Sequence, residues 1–309
     1  MSLPGKILYH SWHRPIGLFK DLIAAGGPWE KHLTERGRKE MESAAYSLPP
    51  QHSLSGTPLE LHLLTGCRFW YQTVFCLWSF GRQSGRALAP IIYDDGTLSS
   101  EHRVPFSRLW PATRFVSQSE TIGRLDDFLP EARFPVLRER WRNYPNIRKL
   151  TDPHLGSKGW KLVLDSDLLF FRNPEFLLNW LDAPDRALHA IDCKTAYGYS
   201  RDLLDRLAGR PLAELVNVGL TGLESGKIDW DRLEHWTRIL HDQEGTSYYL
   251  EQALIAMCVA GQNCAAAPAG DYVTLPVPPE AIKCQAVMHH YVANSKRWYF
   301  QNCWKTTLG

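Results

Sequence analysis

Apolar residues in this chain come in short solid blocks, separated by stretches where they recur at helical spacing. The densest block is Leu162-Val163-Leu164, and an aliphatic triplet of this kind predicts a strand buried on both faces, as in a parallel sheet covered by helices. Further blocks predict strands over Leu59–Leu64, Ala87–Tyr93, Thr113–Ser117, Arg186–Ile191 and Val216–Leu223. Helices are predicted over Arg68–Phe80, from near Thr97, over Pro130–Arg142, over Pro174–Leu181, from an Asp229 cap through His241, and over Tyr248–Ala260, stopped by Gly261. Strands alternating with helices across short connections predict βαβ units and a mostly parallel sheet. No internal repeat or low-complexity tract interrupts the pattern.

The first 55 residues read differently, as a helical N-terminal extension. Ile16–Ala25 stops at Gly26-Gly27, and Pro28–Tyr46 restarts with proline at an early helical position. Ser47–Pro58, rich in Ser, Pro and Gly, reads as a linker, so residues 56–309 form the α/β domain.

Composition narrows the class. Apolar residues make up 44% and charged residues 22%, as in an ordinary globular protein. A net charge of only +2 argues against a nucleic-acid binder. The 12 Trp, 12 Tyr and 12 Phe suit a carbohydrate site, because sugars present flat apolar ring faces; core packing uses aromatics equally. Seven cysteines, odd in number and widely spaced, with no Cys-x-x-Cys pair, form neither a disulfide framework nor a zinc site, so a cytoplasmic protein is expected. The N-terminus has no long apolar region of the signal-peptide kind, and the greasiest window, Phe69–Phe80, is too short to span a bilayer. Peripheral membrane association stays open.

The candidate chemistry starts where the Leu162–Leu164 strand should end. Asp165 and Asp167 stand there one residue apart, followed by a second apolar run, Leu168–Phe171. Buried carboxylates need a partner or a cation, and open α/β sheets bind ligands at the carboxyl ends of their strands. Hard oxygen ligands there suit Mn²⁺ or Mg²⁺ shared with a phosphate. Gly219 and Gly222, inside an apolar strand, point to close approach by a backbone or ligand. The basic run from Arg133 to Lys149 reads either as an attractor of anionic lipid or diphosphate, or as a solvated helix face balanced by Glu131 and Glu139. His10 and His13 read as a metal pair or as a structural or exposed pair.

Four segments, in order, resemble the GT-A nucleotide-sugar glycosyltransferases, nearest the retaining group that includes glycogenin and the bacterial lipopolysaccharide galactosyl- and glucosyltransferases. Leu164-Asp165-Ser166-Asp167, with Phe171-Arg172-Asn173-Pro174 after it, is similar to the metal-binding Asp-x-Asp of that family. Asn217-Val218-Gly219 is similar to its Asn-x-Gly strand, and Glu251-Gln252 to its Asp-Gln pair on the donor sugar. His290, then Lys296 six residues on and Trp298 two further, matches its terminal block. The resemblance implies a Rossmann-like GT-A sheet and a Mn²⁺- or Mg²⁺-dependent transferase of the retaining kind. Asp165, Asp167 and His290 would be metal ligands, and Lys296, with Asp165 and Gly219, would lie on the donor. Asn217, Glu251 and Gln252 would hold the sugar. A UDP-sugar is the implied donor; the acceptor, whether carbohydrate, lipid-linked or protein, is unassigned.

Base and ribose are expected at the ends of the first two strands, with Thr65, Arg68 and Asp94 as candidates; Asp94-Asp95-Gly96 also reads as a plain turn. The chain departs from the family at Glu251 (for Asp), Ala293 (for Gly) and Arg297 (for Pro). Competing readings are a degenerate transferase serving as a carbohydrate-binding or scaffold protein, and a sugar nucleotidyltransferase. The second normally opens with a Gly-rich basic loop that this chain lacks.

Overall fold

A computed structural model describes residues 26–51 and 55–309. The expected Ile16–Ala25 helix and the His10/His13 pair lie outside those residues. The strands are β1 (Ser55–Thr65), β2 (Arg86–Asp94), β3 (Arg114–Val116), β4 (Trp160–Leu164), β5 (Leu168–Phe170), β6 (Leu188–Ile191), β7 (Val216–Glu224), β8 (Ala265–Ala266), β9 (Tyr272–Thr274) and β10 (Met288–His290). The longer helices are α1 (Pro28–Ala45), α2 (Trp70–Ser84), α3 (Ser100–Leu109), α4 (Gln118–Phe128), α5 (Pro135–Asn143), α6 (Arg148–His154), α7 (Glu175–Asp182), α8 (Arg201–Ala208), α9 (Trp230–Glu244), α10 (Leu250–Cys258) and α11 (Pro278–Lys283).

The central sheet runs β3-β2-β1-β4-β7-β6-β8. Every adjacent pair is parallel except those involving β7, which runs against both of its neighbours. A mostly parallel sheet flanked by helices is the architecture expected from the alternating pattern. The register sets Thr65 beside Asp94 and His62 beside Val163, so the carboxyl ends of β1, β2 and β4 open on one edge. That edge is where open α/β sheets hold ligands.

A second sheet, β5-β10-β9, completes the geometry. β10 pairs antiparallel with β5, and His290 sits opposite Leu168. A segment far along the chain is thereby laid against the turn after β4.

Capping explains several helix starts. The Ser99 side chain accepts from His102 N at α3, Ser117 from Glu120 N at α4, and Asp229 from Arg232 N at α9, as its position predicts. Helix α2 is buried on all sides from Trp70 to Gly81, which matches its nearly unbroken apolar sequence. α4, α6 and α8 are short helices to which the sequence reading assigns no element, although Leu203, Leu204 and Ala208 of α8 share a buried face.

The N-terminal segment packs into the same core as the sheet. Met41, Ala45 and Leu48 are buried with α2 and with Tyr299, Phe300 and Trp304 near the C-terminus. Gln301 donates to Glu30 and Lys305 pairs with Glu40. Leu48 and Pro49 supply carbonyls to Arg108 and Trp78, and β1 begins at Ser55, inside the stretch expected to be a linker. No helix among the described residues is long and apolar enough to cross a membrane.

Candidate active site

Asp165-Ser166-Asp167 forms the turn between β4 and β5 and is fastened from both sides. Asp165 N donates to Gly219 O at 2.8 Å, and Tyr291 N donates to Asp167 O at 3.0 Å. The first contact follows from β4 lying beside β7, the second from β5 lying beside β10. His290 Nε2 stands 3.3 Å from Asp167 Oδ1 and 3.6 Å from Asp165 Oδ2. One ligand atom from each of the three residues fits within 4.8 Å of the others. That donor set, two hard oxygens and an imidazole nitrogen, suits a divalent ion of the Mn²⁺ or Mg²⁺ type.

The imidazole is held in the tautomer this requires. Asn217 Oδ1 accepts from Gly219 N at 3.0 Å, while its Nδ2 donates to Asp192 Oδ2 at 3.0 Å, which fixes the amide's orientation. His290 Nδ1 lies 3.1 Å from that oxygen and so donates to it, turning Nε2 toward the carboxylates. Gly219 is needed for the ring to fit: a Cβ there would come 2.2 Å from His290 Cε1. His289 points to the opposite face, as strand alternation demands. It is buried between Tyr291 Oη and Glu280 Oε1, each at 2.8 Å.

Two lysines complete the cluster. Lys296 Nζ is 2.8 Å from Asp167 Oδ2; Lys149 Nζ is 2.7 Å from Asp165 Oδ1 and 3.2 Å from Glu251 Oε2. Burial alone would raise both aspartates, yet Lys149 beside Asp165, and Lys296 and His290 beside Asp167, hold both below the usual carboxylate range. Burial pushes the Glu251 carboxyl up to about 7, with Lys149 only partly opposing it. Burial works against the charged form of His290, but the two aspartates raise it to about 9. Glu251 Oε1 is buried without a hydrogen-bond partner beside the cleft, a free acceptor for a ligand hydroxyl.

These groups floor a cleft of about 550 Å³. Thr65, Gly66, Phe69 and Asp95 line it at the tips of β1 and β2, and Tyr144, Tyr248 and Tyr249 line it beside the first turn of α10. Of the residues singled out in the sequence, Thr65, Asp165, Asp167, Asn217, Gly219, Glu251, Gln252, His290 and Lys296 meet here. Gln252 Nε2 donates to Asp192 Oδ2 at 3.0 Å and to Val216 O at 2.9 Å, so its amide is anchored in the wall.

Two candidates for the nucleoside lie elsewhere. Arg68 is exposed and does not line the cleft. Asp94 is turned into its own loop: Oδ1 accepts from Gly96 N and Leu98 N, and Oδ2 from Arg103. Its neighbour Asp95 takes the cleft position.

Lys149 is the residue that the sequence did not separate from the basic run it closes, whose other members are structural. Arg133, Arg138 and Arg142 pair with Asp231, Asp126 and Glu131, and Arg148 stacks on Trp141. The run is therefore mostly a balanced face, as one of its two readings has it. The available signal was local: Lys149 lies between Arg148 and Leu150, both buried, on the short helix before β4.

Two residues on the cleft wall adopt left-handed backbone without being glycine, Leu275 (φ 57°) and Ala293 (φ 45°). Such conformations are sterically costly and collect at ligand sites. Ala293, where the resembling family has glycine, takes the conformation a glycine would take freely.

No family model matches the sequence, and no curated protein matches it. Solved structures do. The chain is similar to mouse xyloside xylosyltransferase 1 in its apo form, at 12% identity and a TM-score of 0.53, over 78% of this chain and 99% of that one. It is also similar to the galactosyltransferase LgtC in complex with donor and acceptor sugar analogs, at 12% identity and a TM-score of 0.54, over 81% and 95%. At such identities the likeness is one of fold: the chain has the GT-A fold.

Proposed function

We propose that this GT-A protein is a metal-dependent glycosyltransferase that moves a sugar from a UDP-sugar to an acceptor hydroxyl with retention of anomeric configuration. The observation that carries the reading is the convergence of Asp165, Asp167 and His290 at the carboxyl edge of the sheet, with their ligand atoms within 4.8 Å. The residues fit a divalent ion because Asn217 presents His290 Nε2 to the carboxylates and Gly219 leaves room for the ring. A bound Mn²⁺ or Mg²⁺ would supply Lewis-acid charge against the diphosphate leaving group.

The chain's own side chains do the rest. Lys296 faces the diphosphate with a second positive charge. Glu251 and Gln252 take sugar hydroxyls, and Lys149 holds Glu251 and Asp165 in place. Thr65, Phe69 and Asp95 line the nucleoside end. In the transfer, the acceptor oxygen forms a bond to the anomeric carbon as the anomeric carbon–phosphate oxygen bond breaks. The electron pair leaves on UDP, which also takes the acceptor's proton. Asp192 accepts from both Asn217 and Gln252, and the unpartnered Oε1 of Glu251 is assigned to a sugar hydroxyl, so this reading takes the route that needs no enzyme base.

The test is a screen of UDP-sugars for hydrolysis with and without Mn²⁺, alongside calorimetry of UDP binding. Metal-dependent UDP binding with turnover of one donor is the expected result. Failure to bind UDP or turn over any donor in the presence of metal would leave a carbohydrate-binding or scaffold protein on a transferase fold.

A further inference from the structure

The cleft wall carries two aromatic groups that differ in construction. Phe69 stands alone beside the tips of β1 and β2, where the nucleoside belongs. The segment before α10 carries adjacent tyrosines on the same cleft, Tyr248, 73% exposed, and Tyr249, 38% exposed. Large aromatic rings left open on a cleft wall forgo the burial that favours them, and they mark a surface that a ligand covers. The pair is braced. The Tyr144 hydroxyl donates to Tyr248 O, Tyr249 N donates to Ser247 Oγ at 3.1 Å, and Glu251 N donates to Tyr144 Oη at 3.4 Å. The two rings meet edge to face, at 87° with centroids 5.3 Å apart.

This bracing ties the tyrosines to the first turn of α10, which carries Glu251 and Gln252. A further recess of about 330 Å³ lies beyond, walled by Thr195, Tyr197, Tyr199 and Arg201. Its rim touches the tyrosine loop: a Cβ on Gly198 would lie 2.0 Å from Ser247 Oγ and 3.2 Å from Tyr249 Cβ.

We propose that Tyr248 and Tyr249 are the acceptor platform and that the acceptor is a saccharide of at least two units. One pyranose face stacks on the more open Tyr248 ring, with Tyr249 at right angles beside it, and a second unit reaches the recess. The inference rests on the transferase reading above and names its substrate class. A pyranose offers an apolar C–H face and a polar rim, which matches an aromatic ring with a hydroxyl at its tip. A phosphate-bearing lipid would need free cations here. Instead, of the cations lining the cleft and recess, Lys149, Lys296 and Arg201 are paired with Asp165, Asp167 and Asp205, and Lys194 is the one without an ion pair among the described residues. Lys194 is exposed on the cleft rim, so the probes include an acidic sugar.

The experiment uses the full chain with saturating UDP and Mg²⁺. Maltose, cellobiose, lactose, xylobiose and an aldobiouronic acid are offered one at a time in saturation-transfer NMR, with the matching monosaccharides as controls. Saturation of ring protons is expected for at least one disaccharide. Tyr248→Ala and Tyr249→Ala should each weaken its affinity about tenfold, and Tyr248→Trp should restore binding. Calorimetry of UDP·Mg²⁺ on each variant reports whether the fold and the donor end survive. The proposal is overturned if no disaccharide binds, if both alanine variants bind as the parent does, or if monosaccharides bind equally well. Disaccharide binding without UDP binding would uphold the platform and sink the transferase reading, so the two failures are told apart.

Discussion

Two acidic turns close strands of the same sheet, one strand apart, and they are built on opposite principles. In Asp94-Asp95-Gly96, after β2, the first carboxylate accepts from Gly96 N, Leu98 N and Arg103, all within nine residues. In Asp165-Ser166-Asp167, after β4, the carboxylates have no such local donors; their partners are Lys149, His290 and Lys296, brought in by other elements. An acidic turn satisfied by its own loop is a folding device. One satisfied only by distant cations has an electrostatic balance that a bound ion or phosphate can reset. The two turns look alike in sequence because the length of their hydrogen bonds along the chain is not written there.

The largest expected effect falls on the second turn. Asp167→Asn keeps the volume and removes the charge, and should weaken Mn²⁺-dependent UDP binding about 100-fold or more, with the far-UV dichroism spectrum intact. Calorimetry with and without Mn²⁺ measures it. An unchanged affinity would erase the distinction between the turns.

The strand block, the two aspartates and Gly219 were legible in the sequence because each carries its signal within a few residues. The resemblance names His290 through its spacing to Lys296, and the structure adds why its neighbour His289 does not serve, since alternate residues of β10 face opposite ways. Lys149 was hidden by company: its charge is indistinguishable in sequence from those of Arg138 and Arg142, which pair with Asp126 and Glu131 away from the cleft. The exchange of Asp94 for Asp95 at the cleft depends on which carboxylate the loop consumes, a matter of backbone geometry. The direction of β7 was equally hidden, because a strand buried on both faces reads the same either way.

Gly219→Ala attacks the support of the metal site without touching a ligand. The added methyl collides with the His290 ring, so Mn²⁺ affinity should fall about 10- to 100-fold, the range seen when groups behind a metal ligand are disturbed. A variant that binds Mn²⁺ as the parent does would mean that His290 is not held where the third ligand must be.

Proton competition gives a smaller, graded effect. Without an ion, the two aspartates raise His290 from 6.5 to about 9. Its ion pairs stabilise the fold fully below the unfolded value, and that contribution is lost as pH rises through 9. An ion must displace this proton, so Mn²⁺ affinity should climb with pH across the same window, by up to about tenfold per unit. Glu251, raised from 4.5 to about 7, contributes stability below its unfolded value and loses it as pH rises through 7. Glu251→Gln should flatten the melting-temperature profile between those values. Mn²⁺ affinity that is flat from pH 6.5 to 9 would show that the imidazole carries no competing proton.

The smallest effect on the cleft is expected at the first turn. Asp94→Ala deprives Gly96 N, Leu98 N and Arg103 of their acceptor, in a residue that is 7% exposed. Two backbone donors are left without a partner, at a cost of about 1–3 kcal/mol in stability. Arg103, itself more than a third exposed, adds little because solvent screens the pair. UDP affinity in the presence of Mn²⁺ should stay within about twofold of the parent, since Asp95, not Asp94, lines the cleft. Thermal melts and calorimetry on the same preparation separate the two quantities. A loss of UDP affinity with an unchanged melt would reverse the assignment and give the nucleoside to Asp94.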